Sequence, residues 1–163
     1  MKHLKALPLI ASIIITTGCS TSEHVGNYFL QPQLYGLWHC GLSFEEEGGK
    51  VDLDYEVNYV RNGKSNSYGT LIYKTHELPE MEYSMATSAN WEYQNGYLIE
   101  TSTEIKLVNL SHPKFDELLN LESLMPQNIS ESSEVLVLSN TLLTLKSESD
   151  GIVYSCDRVV HKS

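Results

Sequence analysis

Cys40 lies two residues after Trp38, and Cys156 lies two residues before Arg158, so the ends of the chain carry mirror-image patterns. In an antiparallel pair of strands, opposed residue numbers share one sum. The register that sets Cys40 against Cys156 therefore also sets Trp38 against Arg158, then Leu42 against Tyr154 and Phe44 against Ile152. Opposed cysteines can bring their Cβ atoms close enough for a disulfide. The same register lays a planar guanidinium over an indole face, where the cation meets the ring quadrupole and the apolar stem fills space. The chemistry expected of these four residues is structural.

Other reactive side chains show no catalytic spacing. His39, His76, His112 and His161 fit no zinc pattern, and His24 falls in a polar N-terminal stretch. Asp52, Asp54 and Glu56 share one face of a period-two segment but lack the loop and glycine of a calcium hand, so they read as a solvated acidic face. Ser43, Ser130 and the other serines have no neighbouring histidine and carboxylate that would mark a nucleophile. The expectation is a protein without metal, cofactor or catalysis.

The first 18 residues have the layout of an export signal: Lys2 and Lys5, an apolar run from Ala6 to Ile15, then small residues up to Cys19. The stretch TTGCS resembles the lipobox of bacterial lipoproteins. That resemblance implies cleavage after Gly18, lipidation of Cys19 and, with Ser20 next, sorting to the outer membrane. Lipidation of Cys19 leaves Cys40 and Cys156 as an even pair, suited to one disulfide in an oxidising compartment. Residues 19–33 then read as a tether and residues 34–163 as a single domain.

Eleven basic against 21 acidic residues give a net charge of −10, and loss of the signal removes two lysines. Such acidity argues against nucleic acid as a partner and against adhesion to anionic lipid through a basic face. A lipid at Cys19 is the expected membrane attachment.

The folded part reads as β. VDLDYEVNYV alternates strictly, with Val51, Leu53, Tyr55, Val57 and Tyr59 on one side. Asn62-Gly63 and Asn95-Gly96 mark tight turns, and Glu148 to Gly151 marks another. Periodicity gives about nine strand segments. These include 34–44, a segment over Met81 to Thr87 and, separately, two arms flanking Asn95-Gly96, the second bent near Thr101 to Thr103. Over 112–124 the period changes to that of a helix, with Ser111 as cap and Pro113 in the first turn. Local hairpins predominate, and closure would remove exposed edges, so the fold expected is a small all-β antiparallel barrel of about eight strands with one short helix before the last strands.

Gly36-Leu37-Trp38 is similar to the G-x-W signature on the first strand of lipocalins, and Arg158 resembles the last-strand arginine that packs across that tryptophan. The ending from Glu134 to Arg158 resembles the hairpin and final strand of short bacterial lipocalin-like domains. The resemblance implies a lipocalin-like barrel. In such a barrel Tyr55, Val57, Tyr59, Tyr83 and Met85 would floor a pocket for a small amphipathic ligand or, more plainly, fill a narrow core.

Three functional classes follow. The first is a non-catalytic envelope lipoprotein, a binding or assembly accessory acting on a secretion or envelope protein or on a small amphipathic ligand. The second is a carrier or receptor for small hydrophobic molecules with an internal pocket, and the third is an inhibitor of a cationic extracytoplasmic enzyme. The first is the leading expectation, at the periplasmic face of the outer membrane.

Overall fold

A computed structural model describes residues 31–46, 48–116, 122 and 127–160. Its eight strands form a closed antiparallel barrel in which each strand pairs with its chain neighbours and the last pairs with the first: β1 (Gly36–Glu46), β2 (Gly49–Val60), β3 (Lys64–Thr75), β4 (Met81–Gln94), β5 (Tyr97–Asn109), β6 (Ser130–Leu138), β7 (Leu142–Ser147) and β8 (Val153–Arg158). A short helix, α1 (Pro113–Asp116), follows β5. This is a lipocalin-like topology.

The hairpins close where the sequence supplies turn chemistry. Asn95 and Gly96 both adopt positive φ, 54° and 87°, the backbone that a two-residue turn matched to strand twist demands. Along β2 the alternation holds, with Val51, Val57 and Tyr59 buried and Asp54 and Asn58 exposed.

Several expectations are corrected. The segments either side of Ser88 are one strand, β4, of 14 residues, which brings the count to eight. The irregularity falls on β5, where Ser88 opposes Glu104 and Ala89 opposes Ser102, leaving Thr103 as the extra residue of a bulge. Its hydroxyl donates to the Ser88 carbonyl at 3.0 Å. Before the bulge Leu98 and Glu100 face inward, and after it Ile105 and Leu107 do, so both halves of β5 serve one interior.

The terminal strands pair in the expected register, but only over Trp38–Gly41 and Ser155–Arg158. Leu42 and Tyr154, and Phe44 and Ile152, are not paired: the ladder between β1 and β8 stops at Gly41 and Ser155, and Ile152 precedes the start of β8 at Val153. The first strand begins at Gly36, since residues 31–34 form a helical turn. Residues 31–33 read as tether in the sequence, and in the structure their turn is tied to the barrel by Arg158, which donates to the Gln33 carbonyl.

Of the helix expected over 112–124, Pro113–Asp116 is helical, Glu122 is also helical, and 117–121 and 123–126 lie outside the described residues. The Asn109 side chain accepts the His112 amide at 2.7 Å, while the Ser111 hydroxyl accepts the Glu82 amide at 2.9 Å. The turn into the helix is thus fixed by Asn109, and Ser111 ties it to the start of β4.

The interior is filled at one end. Leu34, Trp38, Tyr59, Trp91, Leu98, Leu143 and Leu145 pack around the Cys40–Cys156 disulfide, near the β2–β3, β4–β5 and β6–β7 turns. Trp91 takes Tyr59 edge-on at 5.3 Å between ring centres. A second cluster, Met81, Tyr83 and Leu107, packs with Leu71, Tyr73 and Leu78 beneath the β3–β4 loop.

Candidate ligand-binding cavity

Between these two clusters the barrel is hollow. A cavity of about 400 Å³ is walled by Leu42, Leu53, Val57, Met85 and Ile105, with Ile129 from the approach to β6. Ligand pockets commonly span roughly 300 to 1,000 Å³ and combine apolar walls with a few convergent polar groups. Here those groups are Glu100, Glu131, Tyr55 and Tyr154. A hollow of about 460 Å³ beside the β1–β2 turn is bounded by Glu45, Gly48, Gly49 and Lys50 against Lys74, Thr75 and His76, and its ionisable side chains are exposed or half-buried.

Glu100 is the centre of the polar lining. The β5 bulge turns it inward, where Oε2 accepts the Tyr59 hydroxyl at 2.8 Å and Oε1 accepts the Ser65 hydroxyl at 3.0 Å. Burial pushes its carboxyl above the ordinary value, and these two donors pull partly the other way. Tyr59 is itself held well above the usual phenol range, by burial first and the Glu100 charge second. It remains a donor at any ordinary pH.

A second polar group stands opposite. Tyr154 reaches in from β8 with its hydroxyl beside those of Tyr55 and Ser133, and burial, with Glu100 nearby, pushes it up to about 12. Burial also raises Tyr55 well above its ordinary value. Glu131 on β6 accepts the hydroxyls of Ser147 at 2.8 Å and Ser149 at 3.0 Å. The register makes Glu100 and Glu131 directly opposed partners on β5 and β6.

No family model matches the chain, and no curated protein does. The function must therefore be argued from this geometry.

Of the five residues expected to floor a pocket, Tyr55, Val57 and Met85 line the cavity. Tyr59 and Tyr83 do not. Tyr59 is 3 % exposed and belongs to the filled end, reaching the site through its bond to Glu100. Tyr83 is buried in the second cluster with its hydroxyl on the Met81 sulfur at 3.7 Å. The expectation of a wholly filled core holds for one end and fails in the middle.

Cys40 and Cys156 are joined, with Cα atoms 4.1 Å apart, and Arg158 covers Trp38. Both pairs lie in the filled end and carry no chemistry toward the cavity. Cys19 falls outside the described residues. His39 is exposed, 3.1 Å from Asp54, and the outer acidic face is tied up locally: Asp52 meets Lys50 at 2.7 Å and Lys74 at 3.7 Å, while Glu56 accepts the Tyr68 hydroxyl. Those neighbours hold the Asp52 carboxyl below its ordinary value. Among the described residues no group of three or more His, Cys, Asp or Glu side chains could hold a metal ion.

Glu100, Glu131 and Tyr154 were missed as site residues. Tyr154 shares the parity of Cys156 and Arg158 and was legible as inward. Glu100 was not, because strict alternation run back from Ile105 and Leu107 places it on the outside; only the bulge at Thr103 brings it in.

Proposed function

We propose that this protein is a non-catalytic binding barrel, exported and held at the outer membrane by a lipid on Cys19, that carries or senses a small amphipathic molecule. The observation that carries this reading is the cavity of about 400 Å³ with apolar walls and a hydrogen-bonded polar lining. A closed barrel of eight strands is wide enough to hold one small ligand, and this one leaves space where a filled core would not. The disulfide between Cys40 and Cys156 supports an oxidising compartment. The lipobox-like stretch around Cys19 supports the anchor, and the acidity of the chain supports attachment through lipid rather than through a basic face.

Native mass spectrometry of the protein released from envelope membranes tests the binding reading. A reproducible small molecule retained by the intact protein is the expected result. A stoichiometric protein partner with no retained small molecule would transfer the function to the outer surface of the barrel. The anchor is tested by metabolic labelling with a palmitate analogue, which should label the wild type and not Cys19→Ser.

A further inference from the structure

Building on the reading of the cavity as a ligand site, we propose that its ligand is a small organic cation, an amine carrying an apolar body, held between Glu100 and Glu131. The argument begins with register. Glu100 and Glu131 are directly opposed residues on β5 and β6, and both face the cavity. Like charges directly opposite on neighbouring strands are destabilising. On the outer face water and salt would screen them; half-buried on the cavity wall they are screened less.

The usual compensation is absent from the lining. Glu100, Glu131 and Asp150 supply three carboxyls to the cavity wall, and among the described lining residues there is no lysine, arginine or histidine. Each glutamate instead rests on neutral hydroxyls, Tyr59 and Ser65 for one, Ser147 and Ser149 for the other. Hydroxyl donors hold a carboxylate in place without cancelling its charge. On the outer surface of the same barrel some acids do have cations: Asp52 has Lys50 and Lys74, and Glu104 has Lys106. Among the described residues, the cavity wall offers the interior pair hydroxyls and no cation.

An incoming ammonium group supplies what the pair lacks. It brings donors to the carboxyl oxygens and a positive charge between two negative ones, and Tyr55 and Tyr154 line the same wall. The rest of the ligand is defined by Leu42, Leu53, Val57, Met85 and Ile105, which exclude a bare inorganic ion as the best occupant and favour a hydrocarbon body. A fatty carboxylate would place a third negative charge against the pair.

The test uses the full chain carrying Cys19→Ser, which leaves every barrel residue in place, titrated calorimetrically with octylammonium, octanol and octanoate. The expected order is octylammonium tightest by at least about tenfold over octanol, with octanoate weakest. Equal affinity for all three, or a preference for octanoate, overturns the cation while leaving the cavity as a ligand site. Failure of all three to bind overturns the ligand site itself. Glu131→Gln, and the pair Glu100→Gln with Glu131→Gln, should bring octylammonium down toward octanol without weakening octanol. The wild-type ranking decides the question even where a variant folds poorly.

Discussion

The guanidinium carbon of Arg158 sits 4.1 Å from the centre of the Trp38 ring, and its nitrogens donate to three backbone carbonyls: Nε to Asn140 at 2.6 Å, Nη1 to Tyr35 at 2.6 Å, and Nη2 to Gln33. One side chain on the last strand thus locks the first strand, the turn before it and the β6–β7 turn. The Trp38 indole donates to the Leu34 carbonyl at 2.8 Å, which fixes the ring beneath the cation. Replacing Arg158 with lysine keeps charge but loses the fork, so stability in urea should fall by on the order of 2 kcal/mol, and Arg158→Ala should cost more. A double-mutant cycle with Trp38→Leu should return a coupling of about 1 to 2 kcal/mol. Simple additivity would mean the stacking contributes nothing.

Gly36 belongs to the same arrangement. Its φ is +115°, and a Cβ there would stand 2.9 Å from Arg158 Nη1. Gly36→Ala should therefore destabilise twice over, through backbone strain of about 1 to 3 kcal/mol and by displacing the arginine. Crystallography or heteronuclear NMR of the variant should show Arg158 moved off Trp38. An unmoved arginine with unchanged stability would refute the account of why glycine stands two residues before the tryptophan.

The disulfide closes a separation of 116 residues between strands that are already neighbours in the barrel. Its main effect is on the unfolded chain, and loss of both cysteines, as Cys40→Ala with Cys156→Ala, should lower stability by roughly 2 to 4 kcal/mol while leaving a folded barrel. In Cys19→Ser protein, thiol titration under denaturant should find no free thiol until reductant is added.

Glu100 gives stability a pH dependence of defined sign. Its surroundings are Tyr55 and Tyr59 on β2, Ser65 on β3, Glu131 on β6 and Tyr154 on β8. The folded carboxyl lies above its unfolded value, so the native state binds the proton more tightly. The resulting stability is fully present below the unfolded value and is lost as pH rises through the folded one. Glu100→Gln removes this dependence, so urea melts of the wild type and the variant should diverge as pH rises from the carboxylate range, with the wild type losing ground. Parallel curves would refute the burial of the charge. Saturating octylammonium should shrink the divergence.

The sequence made the barrel legible because its signals are local and repetitive: the alternation of β2, the Asn-Gly turns, and the shared register of Trp38 and Cys40 with Arg158 and Cys156. It hid the site for a physical reason. A bulge inserts one residue without leaving a compositional mark, and Thr101-Ser102-Thr103 gives only a hint of it. At Thr103 the parity of β5 reverses, so Glu100 passes from the outer face in a strict reading to the inner face in the barrel. At Leu136 a second bulge does the same for β6, between Val135 and Val137. The ninth periodic segment arose from the complementary error: Ser88, Ala89 and Asn90 look like a break in β4, but the odd positions from Met81 to Tyr93 keep one parity straight through them, which leaves the eight strands expected of the barrel.

The division of the interior into a filled end and a hollow middle predicts unequal responses to the same kind of truncation. Leu145 is 1 % exposed and packed among Trp38, Leu143 and the disulfide, so Leu145→Ala leaves a void its neighbours cannot close and should cost about 2 to 5 kcal/mol. Ile105 already borders open space on the cavity side, so part of its surface makes no contact that truncation could remove. Ile105→Ala should cost less than Leu145→Ala in urea unfolding, and by enlarging the cavity it should extend the longest alkylammonium chain the barrel accepts. Equal losses from the two substitutions would mean that the middle of the barrel is packed as tightly as its end. The polar lining around Glu100 would then be a satisfied core network and not the wall of a site.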